Sequence, residues 1–92
     1  MNKCLRITFT ADVSGDFLRI FVQKHARKMN IEGTAQVTAE QKIRIIVCGT
    51  KDNVDAFLDV IHRGSATCVP ENIEVEPFIK DKDYRGVFRV IE

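Results

Sequence analysis

Residues 5–19 read Leu5-Arg6-Ile7-Thr8-Phe9-Thr10-Ala11-Asp12-Val13-Ser14-Gly15-Asp16-Phe17-Leu18-Arg19. The first six residues alternate apolar and polar side chains, which predicts a β-strand with one buried face. After the loop, apolar residues recur at three- and four-residue spacing, which predicts an amphipathic helix ending near Asn30. The predicted stripe consists of Leu18, Phe21, Val22, His25, Ala26 and Met29.

The rest of the chain alternates in the same way between strand and helix patterns. Gly33 is expected to be a turn residue after the first helix, and residues 39–41 to form a hairpin turn. The predicted later strands are Thr34–Thr38, Lys42–Cys48, a segment around Ile73 and Val75, and Phe88–Ile91. The strand at Lys42–Cys48 is the clearest, because most of its residues are β-branched.

A second amphipathic helix is predicted from Val54, Phe57, Leu58 and Ile61. Thr50 and Asp52 are both candidate N-caps, and Gly64 is the expected end. The element order is then β-α-β-β-α-β with an extra short C-terminal strand. This order predicts an α+β, ferredoxin-like sandwich in which two helices cover one face of an antiparallel sheet. At 92 residues, the chain is expected to be a single domain, 1–92.

Composition limits the classes of partner. Charged residues make up 29% of the chain but the net charge is only +1, which argues against nucleic acid or an acidic membrane as partner. No apolar run approaches the roughly 20 residues of a membrane span, and the first residues hold no signal-peptide core.

The number and spacing of the cysteines do not suggest a disulfide framework. There are three, an odd number, and they are far apart in the sequence: Cys4, Cys48 and Cys68. Buried free thiols, no metal site and a cytoplasmic location are therefore expected.

The loop between the first strand and the first helix is the candidate site. A strand that enters a short loop and then a helix start directs several backbone N–H groups at one point, where the helix dipole favours an anion. Arg19 would lie in the first helical turn, where its guanidinium could bind a phosphate or carboxylate with two hydrogen bonds. Alternatively, Asp12 or Asp16 pairs with Arg19 and cancels its attraction for an anion.

These residues resemble the acylphosphatase family, whose first strand is followed by G-x-V-Q-G-V-G-F-R and then a helix continuing x-F-V. The matching positions here are Val13, Gly15, Arg19, Phe21 and Val22. The segment Met29–Gly33 resembles the family's L-G-L-x-G, and the order of elements agrees along nearly the whole chain. Ala11 and Phe17 stand at glycine positions of the family's loop, and Asp16 at an apolar one.

The resemblance implies metal-independent hydrolysis of small acyl phosphates to a carboxylate and phosphate, with no cofactor. It assigns Arg19 as the catalytic residue. It also implies a phosphate-binding loop made of Val13, Ser14, Gly15, Asp16, Phe17 and Leu18. The family holds the attacking water with an asparagine in the pattern G-W-V-R-N. Val37 stands at that asparagine position, and Gln36 is expected to point to the opposite face of the sheet.

Two functions are therefore compatible with the sequence. The chain is either an acylphosphatase-type hydrolase or a catalytically inactive member that binds an anion or a protein partner. A third class, an unrelated ferredoxin-like binding module, is not favoured, because the sequence lacks the residues that such modules use for binding. An RNA-binding version would carry aromatic residues on the open sheet face, where Arg6, Thr8, Arg44 and Glu74 are expected. A metal-carrying version would have Cys-x-x-Cys after the first strand.

Overall fold

The computed structural model describes residues 2–11, 17–39, 41–65, 69–79 and 85–91. A π-helical segment, Phe17–Gln23, continues into helix α1, Lys24–Lys28, and helix α2 covers Lys51–Arg63. The strands are β1 (Asn2–Thr10), β2 (Glu32–Ala39), β3 (Lys42–Thr50), β4 (Glu71–Pro77) and β5 (Phe88–Ile91).

The five strands form one sheet in the order β4-β1-β3-β2-β5. The pairs β1–β3, β1–β4 and β2–β3 are antiparallel. The predicted ferredoxin-like α+β fold is confirmed, but the sheet is mixed rather than wholly antiparallel. The difference lies in β5, which pairs parallel to β2 from Gly33↔Phe88 to Gln36↔Ile91. The chain reverses direction between β4 and β5 and crosses to the opposite edge of the sheet, which sets this parallel pairing.

The core lies between the helices and one face of the sheet. Strand alternation places Leu5, Ile7 and Phe9 of β1 in this core, as predicted from their period of two. The expected helical stripe is also confirmed, since Val22 and Ala26 are fully buried. The other buried members include Ile43, Ile45 and Val47 of β3 and Val54, Phe57 and Ile61 of α2.

Helix α2 begins and ends as the sequence indicates. Of the two candidate caps, Thr50 is the one in place, because its Oγ1 accepts a hydrogen bond from the N–H of Asn53 at 3.2 Å. Gly64 ends the helix with φ +69°, a conformation that favours glycine. Asp55 of α2 accepts hydrogen bonds from Lys3 of β1 at 2.9 Å and from Lys51 at 3.0 Å. Hydrogen bonds from the two ammonium groups lower the pKa of the Asp55 carboxyl, and Lys3 has the larger effect. The Lys3–Asp55 contact also links α2 to β1.

Gly33 is not a turn residue, so that prediction is wrong. It lies in β2, paired with Val47 of β3 and Phe88 of β5, with φ +144°. A Cβ at this position would come within 1.8 Å of the Ile46 carbonyl oxygen. Glycine is required here because the backbone of β3 approaches β2 too closely for a side chain.

The expectation of free thiols is wrong for Cys4 and Cys48, which form a disulfide. The two residues are direct cross-strand partners in the β1–β3 pair, and their Cα atoms are 4.2 Å apart. The spacing of cysteines along the sequence could not reveal this, because the pairing depends on the register of two strands 44 positions apart. Cys68 lies outside the described residues.

Candidate functional site

The entry to the predicted phosphate loop is held against the β2–β3 turn. Ala11 follows β1, is 5% exposed, and donates its N–H to the carbonyl of Gln41 at 3.0 Å. Gln41 occupies the turn with φ +59°. This hydrogen bond fixes where the chain leaves the sheet, and no local sequence pattern signals it.

The structure describes the end of the predicted loop but not its middle. Val13, Ser14, Gly15 and Asp16 lie outside the described residues. The backbone of Phe17 begins the π-helical segment.

The next two residues of this segment have opposite environments. Leu18 is 9% exposed and packs in the core, whereas the side chain of Arg19 is exposed. Leu18 thus anchors the start of the helix while Arg19 extends from it toward solvent.

The helix that carries Arg19 starts with π-helical geometry, which the sequence did not indicate. The three- and four-residue spacing of its apolar side chains suits an α-helix equally well. As in other helices, the first N–H groups have no acceptor within the helix. The start of this segment therefore combines backbone donors with the Arg19 guanidinium, a combination that suits an anion.

Val37 lies at the same end of the sheet as this loop. The register places Val37, Ile43 and Phe9 in one row across β2, β3 and β1. The backbones of Val37 and Phe9 are therefore two strand spacings, about 10 Å, apart. Val37 shares the helix-covered face with Ala35 but is 44% exposed. An apolar side chain therefore reaches solvent two strands away from β1, at the end of the sheet where β1 leads into the loop.

Gln36 does not share this face. Its cross-strand partner is Arg44, an exposed residue of the opposite face. The expected orientation of Gln36 is therefore confirmed. The register shifts between Val37 and Ala39, so an irregularity follows Val37 directly, and irregularities of this kind can change the direction of nearby side chains.

The two histidines have structural contacts. Nδ1 of His25 donates to the Phe21 carbonyl at 2.7 Å, and the two rings lie 4.6 Å apart. Nδ1 of His62 donates to the Leu58 carbonyl at 3.0 Å. Both rings therefore bond to the preceding turn of their own helix.

Within the described ranges, no three His, Cys, Asp or Glu side chains are grouped as metal ligands would be. No described helix is both long enough and apolar enough to cross a bilayer. The chemistry that the described residues offer is electrostatic: an exposed guanidinium and backbone donors at the start of a helix. An apolar side chain stands at the same end of the sheet.

Comparison with known proteins agrees with this geometry. The family model described as Acylphosphatase matches residues 5–90. An acylphosphatase of Caldivirga maquilingensis is 26% identical over 83 residues, which cover 89% of this chain and 87% of that protein.

Two solved structures share the fold. An acylphosphatase from Coxiella burnetii has a TM-score of 0.84 at 23% identity, covering 98% of this chain and 93% of that one. An acylphosphatase from Bacillus subtilis has a TM-score of 0.85 at 22% identity over the full length of both chains. Acylphosphatases act on small acyl phosphates. The match over residues 5–90 shows that this chain is an acylphosphatase-like protein and belongs to the acylphosphatase family.

Proposed function

We propose that this chain binds the phosphoryl group of a small acyl phosphate with Arg19 and the phosphate-binding loop, residues 13–18, and hydrolyses it. The observation that carries the proposal is the position of Arg19. Its side chain is exposed at the start of a helix whose neighbouring Leu18 is buried. Burial of Leu18 keeps the backbone beneath Arg19 in place, which is what a preorganised anion site needs.

The chemistry requires binding and charge stabilisation more than proton transfer by the protein. A water oxygen forms a bond to phosphorus, the bond between phosphorus and the acyl oxygen breaks, and the carboxylate leaves. One proton of the water stays on the phosphate and the other is released to solvent. Arg19 remains protonated throughout and, with the loop amides, stabilises the charge on the phosphoryl oxygens.

A second candidate function is supported by Val37. A valine has neither donor nor acceptor to hold a water, and 44% of its surface is exposed at the relevant end of the sheet. A chain that keeps the anion site but does not position the water would bind an anion, or a protein partner, without turnover. The two candidates share the phosphate-binding loop and differ in the hydrolytic step.

Val37→Asn is expected to raise kcat for a small acyl phosphate by about 10- to 100-fold, because an amide can orient the attacking water. The measurement is release of phosphate by wild type, by Val37→Asn and by a buffer blank. Val37→Ala is the matched control, since it removes the valine without supplying an amide, and its kcat should stay near that of wild type.

Wild-type turnover above the blank, together with a gain in Val37→Asn alone, supports the hydrolase. Wild type and Val37→Asn both at the rate of the blank, with the fold intact by circular dichroism, would exclude the hydrolase and leave the binding function. An equal gain in Val37→Ala would show that the bulk of the valine side chain, rather than the lack of a group that holds water, limits the rate.

The proposal includes a cytoplasmic location, which fractionation of cells expressing the chain would test. The Cys4–Cys48 disulfide bears on it, because disulfides of cytosolic proteins in mesophiles are usually transient or redox-active. For a cytoplasmic protein, this tendency predicts a disulfide that exchanges with cellular thiols.

A further inference from the structure

We propose that the Cys4–Cys48 pair is a reversible redox modification site, at which low-molecular-weight thiols and their disulfides exchange through Cys4. The pair lies outside the phosphate-binding site. It occupies the sheet face away from the helices, because its neighbours Leu5 and Val47 point into the core. Along β1, it lies toward the opposite end of the strand from Phe9 and the loop entry.

The sheet keeps the two sulfurs opposed whether or not they are bonded. β1 and β3 pair continuously from Asn2↔Thr50 to Thr10↔Lys42, and each has another strand on its outer side. Reduction therefore removes one covalent link and leaves the surrounding hydrogen bonds in place. The reduced thiols stay adjacent, so closing the disulfide needs no rearrangement of the backbone.

The two sulfurs differ in access. Cys48 is 3% exposed and lies on β3 between β1 and β2. Cys4 is only half-buried, on β1 beside the edge strand β4. Cys4 also lies level with the end of the edge strand, since β4 ends at Pro77. The next residue, Phe78, donates its N–H to the carbonyl of Cys4 at 3.1 Å. An entering thiolate can therefore reach Cys4, and burial protects Cys48.

The exchange with a thiol such as glutathione takes place in two steps. A glutathione thiolate attacks Sγ of Cys4, the Cys4–Cys48 bond breaks, and Cys48 leaves as a thiolate and takes up a proton. A second glutathione thiolate attacks the glutathione sulfur of the mixed disulfide, the bond from that sulfur to Cys4 breaks, and oxidised glutathione is released. Cys4 leaves as a thiolate and takes up a proton. Oxidation follows the reverse order, with Cys48 attacking the mixed disulfide on Cys4.

The disulfide also joins two strands that are distant in sequence. It links the β1 and β3 positions 44 residues apart, so it restricts the unfolded chain strongly. The reduced form is expected to unfold about 10 °C or more below the oxidised form. Because the pair lies away from Arg19 and Val37, acyl phosphate turnover below the unfolding temperature should not change.

The test uses the full chain with Cys68→Ser, so that Cys4 and Cys48 are the cysteines present. This reduced chain and its Cys4→Ser and Cys48→Ser derivatives are incubated with oxidised glutathione, and intact masses are followed over time. The parent chain is expected to close its disulfide without keeping an adduct. Cys48→Ser should gain one glutathione on Cys4, and Cys4→Ser should react at least about tenfold more slowly.

Equal rates of glutathione addition in the two single variants would overturn the assignment of Cys4. A parent chain that stays fully reduced in oxidised glutathione would overturn the redox site itself. If a serine variant does not fold, iodoacetamide labelling of the folded, reduced parent chain gives the same comparison. Peptide mapping should then find Cys4 alkylated about tenfold faster than Cys48, and equal labelling would contradict the proposal.

Discussion

Arg19→Ala will lower kcat/KM for a small acyl phosphate by about 100- to 1000-fold, the loss typical of removing one preorganised donor from an oxyanion-type site. The phosphoryl oxygens gain charge as the acyl oxygen leaves, and the guanidinium is the charged group that the described residues place at the start of the helix. Steady-state release of phosphate measures the effect. If wild-type turnover is slow, the same change is made in the Val37→Asn background.

Two matched variants distinguish a specific role of Arg19 in the site from a general effect of positive charge on the helix. Arg27→Ala removes an exposed guanidinium from α1, farther along the same helical stretch, and should leave kcat/KM within about twofold because charges at this distance are screened. Arg19→Lys keeps the positive charge but loses the planar pair of donors, so its kcat/KM should fall between those of wild type and Arg19→Ala. Equal losses in Arg19→Ala and Arg27→Ala would mean that Arg19 has no special role.

Gly33→Ala will lower the free energy of unfolding by about 3–5 kcal/mol, at the high end for single substitutions. The new Cβ would lie 1.8 Å from the Ile46 carbonyl oxygen, a backbone atom in the adjacent strand β3. The φ of +144° adds strain for any residue with a side chain. Relief requires β2 and β3 to separate, with loss of ladder hydrogen bonds. Urea unfolding followed by circular dichroism gives the value.

Gly49→Ala is the control for this effect. Gly49 lies in β3, and the nearest atoms to an added Cβ are 3.6 Å away, an ordinary contact distance. The free energy of unfolding should change by no more than about 1 kcal/mol. A similar small change in Gly33→Ala would show that β2 and β3 are not as close at Gly33 as the structure places them.

The strands and helices were predictable because their apolar periodicity is local. The alternation of Leu5, Ile7 and Phe9 indicates one buried face wherever the strand pairs, and the core confirms it. The parallel pairing of β5 with β2 was not predictable, because the short Phe88–Ile91 pattern does not specify a neighbour. The turn predicted at Gly33 is wrong for a similar reason, because the constraint on this glycine comes from Ile46 in another strand.

The site was predictable in part. The pattern around Arg19 indicated the family and the start of a helix, and the structure places Arg19 at that start with its side chain exposed. The π-helical geometry and the Ala11–Gln41 hydrogen bond depend on backbone detail that side-chain spacing does not encode. The disulfide escaped prediction because Cys4 and Cys48 are neighbours through strand register alone.

The most direct test of the phosphate-binding site is a titration of the 15N-labelled chain with inorganic phosphate, followed by amide chemical shifts. Saturable shifts of the amides of residues 13–19 are expected at about 1–10 mM phosphate, and the same titration of Arg19→Ala should lose them. Amides of residues 13–19 that stay unshifted, or shifts confined to residues around Arg27 and Lys28, would contradict the assignment of this loop as the phosphate-binding site.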